Sequence, residues 1–181
     1  MEARQTAQDL RYPVGKFHWK GDLNATERAE LITEIAAVPT RLREAVTGLA
    51  PEQLDTPYRP DGWTVRQVVH HVPDSHLNSY VRFKLALTEN QPTIKTYNQE
   101  AWANLADSKS TSVETSLALL EALHERWVNL LQSMSPADFA RTLNHSEMGP
   151  VTLDRMLALY AWHGRHHVGH ITSLRERMGW Q

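Results

Sequence analysis

The sequence predicts an all-α fold, a bundle of four long helices behind an irregular N-terminal arm. Three observations predict it. Four long stretches carry apolar residues at every third or fourth position, segments marked by Pro and Gly separate them, and no alternating run is long enough to suggest a sheet. With 181 residues, 41% of them hydrophobic, the chain can bury one core. A single bundle domain is therefore expected over 24–181, with the arm at 1–23.

Each element has a local reason. Asn24 with Glu27 three residues on reads as a capping box, opening a first helix that ends before Gly48 and contains Pro39 as a bending point. "APEQLDTPYRPDGW" reads as a short helical turn and a proline-rich loop. Thr64 and Gln67 form a second capping box, opening a helix that runs toward Glu89. Residues 90–110 form a connection with one turn around Trp102, a length that suits a crossover rather than a hairpin. Thr111 and Glu114 cap the third helix. Ser135-Pro136 starts a short turn, and "RTLNHSEMGPVT" is a loop able to hold a small hairpin. Thr152 opens the last helix and Gly179 closes it.

Composition narrows the function. With 21 acidic and 19 basic residues the formal charge is -2, which carries no electrostatic footprint for nucleic acid or an anionic membrane. No apolar run approaches the ~20 residues a bilayer span needs, and "MEARQTAQDL" lacks the apolar centre of a signal peptide, so a cytoplasmic protein is expected. The absence of cysteine removes disulfides, thiolate nucleophiles and thiolate ligands together. Any metal here would be held by nitrogen and oxygen.

Histidine is the residue that stands out. Of ten, seven fall in two knots, "VVHHVPDSH" with His70, His71 and His76, and "YAWHGRHHVGHIT" with His163, His166, His167 and His170. A helical turn of ~100° per residue sorts them. In the last helix Leu157, Tyr160, Val168, Ile171, Leu174 and Met178 belong to one apolar stripe. His163 and His167 lie in its edge one turn apart, His170 sits slightly further round, and His166 turns toward solvent. In the second helix His76 falls within the stripe of Val65, Val69, Val72 and Phe83, His71 flanks it beside Ser75 and Asn78, and His70 projects to the opposite side.

Two imidazoles at i and i+4 can converge on one ion, and His71 from a facing helix is the natural third ligand. Three protein nitrogens leave one coordination position open, the arrangement of catalytic rather than structural zinc. A second reading stands beside it. At this histidine content chance supplies about half an H-x-x-x-H pair, so buried, hydrogen-bonded core histidines account for the spacing equally well. His76 fits a core or supporting role better than a ligand's, and the tryptophans fit core packing.

The stretches "YPVGKF", "QLDTPYRPDGWTVRQVVHHVPDSHLNSYVRFKLALTE", "DSKS", "SLALLEALHERW", "YAWHGRHHVGHIT" and "RMGW" closely resemble the YfiT-like metal-dependent hydrolases of the DinB-like superfamily, from about residue 12 to the C-terminus. The resemblance implies an up-down-down-up four-helix bundle of the DinB type with one divalent metal ion, zinc or nickel. Its ligands would be the second histidine of "VVHH", His71, and the pair of "WHxxxH", His163 and His167. It also implies a homodimer. To this the residues add only that the aromatic arm "RYPVGKFHWKG" must lie over the bundle or over a partner.

The general base is open. A zincin motif keeps a glutamate beside its first ligand, but Gly164, Arg165 and His166 stand between His163 and His167, leaving Asp74, Glu147, His76 and His170 as candidates. Three functions follow: a hydrolase using metal-activated water on a small-molecule substrate, an S-transferase whose metal binds a low-molecular-weight thiol such as bacillithiol, or a non-catalytic bundle. Arg66, Arg82 and Arg165 are candidate anchors for a thiol cosubstrate's carboxylate, with plain surface solvation the favoured role for each.

Overall fold

The computed structural model describes residues 9–180. Four long helices form the bundle: α1 (Ala25–Val46), α3 (Val65–Thr88), α6 (Val113–Ser133) and α8 (Leu153–Met178). Both expected capping boxes form, Asn24 with Glu27 on α1 and Thr64 with Gln67 on α3. The helices continue past Pro39 and Pro73. Gly179 ends α8 in the left-handed conformation, φ 65°, where a side chain would be strained. One cap moves by a residue. Ser112, not Thr111, accepts from the Glu114 amide, because the Thr111 carbonyl is turned to α3, where it accepts from His70 and Arg66.

Contacts across the bundle give its direction. On α1 and α8, Arg28 pairs with Asp154, Val38 meets Gly164, and Arg175 donates to the Ala45 carbonyl, so these helices run parallel. α3 and α6 are parallel as well, since His70 bonds Ser116 and His76 bonds His124 further along both. α6 opposes α1, with Arg43 on Glu114 and His124 on the Ile35 carbonyl. The order is up-down-down-up.

Parallel neighbours need a crossover, and residues 89–112 provide it by running back along α3. They carry a two-residue strand β1 (Thr93–Ile94) and short helices α4 (Gln99–Ala103) and α5 (Ala106–Ser110), where one turn around Trp102 was expected. Gln67 at the head of α3 donates to the Ala103 carbonyl, fixing the return. Two more short helices, α2 (Pro51–Leu54) and α7 (Pro136–Phe139), fill loops, each with Pro at the start.

A small sheet completes the fold. Strands β2 (Thr142–His145) and β3 (Gly149–Thr152) make the hairpin, with Leu143 opposite Val151, both buried against the helices, and β1 adds to β2 in parallel. At four residues or fewer per strand the alternation is too short to read as a period.

The described arm lies over its own bundle. Trp162 Nε1 donates to the Gly15 carbonyl at 3.0 Å, His170 Nε2 donates to the Arg11 carbonyl at 3.1 Å, and Tyr12 and Phe17 face His166 and Trp162. Gly169 permits this approach, since a Cβ there would stand 3.0 Å from Val14 Cγ1. This corrects the solvent side assigned to His166, which is buried beneath the arm, and His70 is buried against α6. Met178, placed in the α8 stripe, is 53% exposed where the helix outruns the core.

Candidate metal centre

α3 and α8 bring His71, His163 and His167 together, with one ring nitrogen from each within 4.8 Å of the others. His71 Nε2 stands 3.3 Å from His163 Nε2. Two nitrogens each ~2.05 Å from one tetrahedral ion stand ~3.3 Å apart, so this pair has the spacing of a ligand edge. Trp63 covers His71 with ring centroids 4.7 Å apart.

Behind His163 runs a chain of imidazoles that decides its tautomer. The Ile35 carbonyl can only accept, so His124 Nδ1, at 2.8 Å, carries a proton. Burial pushes the His124 pKa down to about 4, so the ring is neutral and its Nε2 accepts from His76 Nδ1 at 2.8 Å. His76 Nε2 in turn accepts from His163 Nδ1 at 3.1 Å. The proton on His163 is thereby held at Nδ1, and its Nε2 lone pair faces His71. A metal-binding histidine characteristically donates its second nitrogen in this way.

Burial keeps one nitrogen of each ring unprotonated. Burial first, and neighbouring imidazoles second, push His71 down to about 3 and His163 and His167 well below the usual range. All three are neutral near pH 7, with lone pairs free for a Lewis acid. His166, His167 and His170 form a second group of the same compactness, sharing His167. The Nδ1 atoms of these three are buried without a hydrogen-bond partner among the described residues, the kind of orphaned nitrogen an ion would satisfy. The donor set thus fits a divalent metal.

The site opens into a cavity of about 470 Å³, lined by His163, His167, Ser75 and Tyr160 at its inner end. The other predicted residues divide. Glu147 and His170 line the cavity; Asp74 does not, although burial and the Asp107 carboxylate raise its pKa to about 6. His76 has both ring nitrogens committed. Arg66 pairs with Asp55 at 2.7 Å and Arg165 with Glu34, whereas Arg82 lines the cavity with no acidic partner among the described residues. Sequence reasoning missed His124, although its spacing with Leu120, Trp127 and Leu131 puts it on the buried stripe of α6.

The DinB superfamily pattern matches residues 34–171, which span both histidine knots and reach into all four long helices. The chain belongs to the DinB superfamily. Among DinB relatives, a Bacillus mycoides protein is 57% identical over 96% of this chain and 99% of its own length, and a Bacillus cereus protein is 56% identical over 95% and 99%. Both are named "putative metal-dependent hydrolase". Among solved structures, YfiT of Bacillus subtilis superposes with a TM-score of 0.93 at 46% identity, covering 95% of this chain and 99% of its own. It is described as "a probable metal-dependent hydrolase with an unusual four-helix bundle topology". The same DinB bundle, with its parallel α3 and α6, is present here.

Proposed function

We propose that this DinB protein is a metal-dependent hydrolase acting on a small-molecule substrate, with His71, His163 and His167 holding one zinc or nickel ion. The observation that carries this is the convergence of three neutral imidazoles from two helices, one with its lone pair set by the chain through His76 and His124. The first histidine group is preferred to the second because it draws on two helices and because the chain through His76 and His124 fixes the tautomer of its His163.

A divalent ion held there would supply Lewis-acid activation at an open position. The residues around it do the rest. His76 and His124 hold the ligand tautomer, Trp63 and Tyr160 pack against the His71 and His163 rings, and Glu147 and His170 are two of the cavity groups able to accept a proton.

The test is metal analysis of protein purified without a histidine tag. His71→Ala, His163→Ala or His167→Ala should abolish stoichiometric binding, whereas His70→Ala should retain most of it. Tight binding retained in a His163→Ala, His167→Ala double variant would refute the ligand set. Ester and amide turnover with and without low-molecular-weight thiols then separates hydrolysis from S-transfer. We also propose a homodimer; light scattering that returns the mass of one chain at micromolar concentration would exclude it.

A further inference from the structure

Three arginines were candidates for holding an anion, and their surroundings now differ sharply. Arg66 and Arg165 are committed to Asp55 and Glu34. Arg82 is buried, 7% exposed, and its one hydrogen bond among the described residues is a long one, Nη2 to the Lys95 carbonyl at 3.3 Å. No carboxylate pairs with it among the described residues. Buried charges are ordinarily paired, because desolvating a guanidinium without a counter-charge is costly. The charged and titratable neighbours on this side are His145, buried on β2, Tyr97, half-buried on the crossover, and Glu147, exposed on the turn beyond β2, with no carboxylate within ion-pair distance of Arg82 among the described residues.

The helix places Arg82 usefully. Ser75 Oγ lies 3.4 Å from His163 Nε2, which marks the level of the histidine cluster on α3. Arg82 is seven residues further on, so it shares that face to within ~20° and stands two turns, ~10.5 Å, along the axis. Both residues line the same cavity. A small molecule reaching from the histidines toward Arg82 would bring an anionic group to a buried, unpaired guanidinium.

We infer that Arg82 is the anion subsite of this cavity, binding a substrate oxyanion, carboxylate or phosphate, about two helical turns from the reacting group. The inference rests on the metal reading for what lies at the other end, but the anion site itself does not need the metal. A guanidinium offers paired N–H groups in the geometry of an oxyanion, and hydrogen bonds between charged groups are the strong ones. The substrate is then a molecule with two functions, an electrophilic or thiol-bearing end and an anionic end.

Two experiments keep the readings apart. In the first, cobalt-loaded protein is titrated with ω-mercaptohexanoate and with the neutral ω-mercaptohexanol, following the thiolate-to-cobalt band. The acid should bind on the order of tenfold to a hundredfold tighter than the alcohol. Arg82→Gln should abolish that preference while leaving the alcohol's affinity unchanged, Arg82→Lys should restore part of it, and mercaptoacetate, too short to span the two turns, should show no dependence on Arg82. In the second, metal-free protein is titrated calorimetrically with hexanoate and with inorganic phosphate; the one that binds wild type and not Arg82→Gln identifies the oxyanion. Absence of any cobalt band with any thiol would sink the metal reading alone. Equal binding of acid and alcohol, or anion binding in the metal-free protein that is absent or insensitive to both Arg82 variants, would overturn the subsite. Circular dichroism of the variants separates a lost site from a lost fold.

Discussion

Replacing His124 with Phe tests whether the imidazole chain sets the ligand. His124 is only 2% exposed and lies far from the proposed coordination sphere in sequence, yet it accepts the proton of His76 Nδ1 at 2.8 Å. Phe keeps the ring volume and removes both nitrogens. Two buried groups lose partners, the Ile35 carbonyl and His76 Nδ1. Each unsatisfied group costs ~1–3 kcal/mol, so the metal-free protein should lose about 2–6 kcal/mol of stability. The functional effect is separable. With its acceptor gone, His76 is free to take the other tautomer, place a proton on Nε2, and turn His163 so that Nδ1 accepts and Nε2 carries the proton. Losing such an outer partner typically costs 10–100-fold in metal affinity, ~1.4–2.7 kcal/mol. The assay is competition for zinc against a chromophoric chelator, alongside urea unfolding of the metal-free protein. His124→Gln, whose amide can donate to Ile35 and accept from His76, should recover part of the affinity. A His124→Phe variant that folds and binds zinc as tightly as wild type would refute the chain.

Acid should destabilise the metal-free protein. His71, His124, His166 and His170 are held by burial at about 3, 4, 4 and 4, below the ordinary 6.5, so the unfolded chain binds more protons throughout that interval. Their contribution is complete above ~6.5 and is lost as pH falls toward the folded values, each adding up to ~1.4 kcal/mol per pH unit. A urea midpoint that stays flat between about pH 7 and about pH 5 would contradict this. Gly164→Ala tests the approach of α8 to α1. The new Cβ would lie 2.4 Å from Val38 Cγ2, and the β-branched Val38 cannot swing aside within a helix. Overpacking of ~1–3 kcal/mol should exceed the ~1 kcal/mol gained in helix propensity. Val38→Ala should relieve it, giving a favourable coupling in a double-mutant cycle read by thermal or urea unfolding; strict additivity would mean the helices part without strain.

Much of the bundle was legible because helix signals are local. The capping boxes at Asn24 and Thr64, the Gly179 stop and the apolar stripes are written in residues a few positions apart, and they formed where expected except for Met178 at the end of the α8 stripe. The cap at Ser112 shows the limit. Thr111 is an equally good local candidate, and only the proximity of His70 and Arg66 on α3 draws its carbonyl away. The small sheet escaped for a related reason, since two to four residues do not define a period and β1 pairs with a strand about fifty positions later.

Periodicity alone determined that His163 and His167 share an edge of α8 and that His71 flanks the core of α3, because ~100° per residue is a property of any α-helix. What surrounds each histidine was decided only by which helices adjoin and in which direction they run. The His76–His124 bond joins residues 48 apart, and the His76–His163 bond residues 87 apart. His166, polar-facing on its own helix, is buried because the arm folds back over it. Arg66, Arg82 and Arg165 are chemically alike in the sequence, and it is packing that pairs two of them with carboxylates and leaves the third buried, charged and facing a cavity.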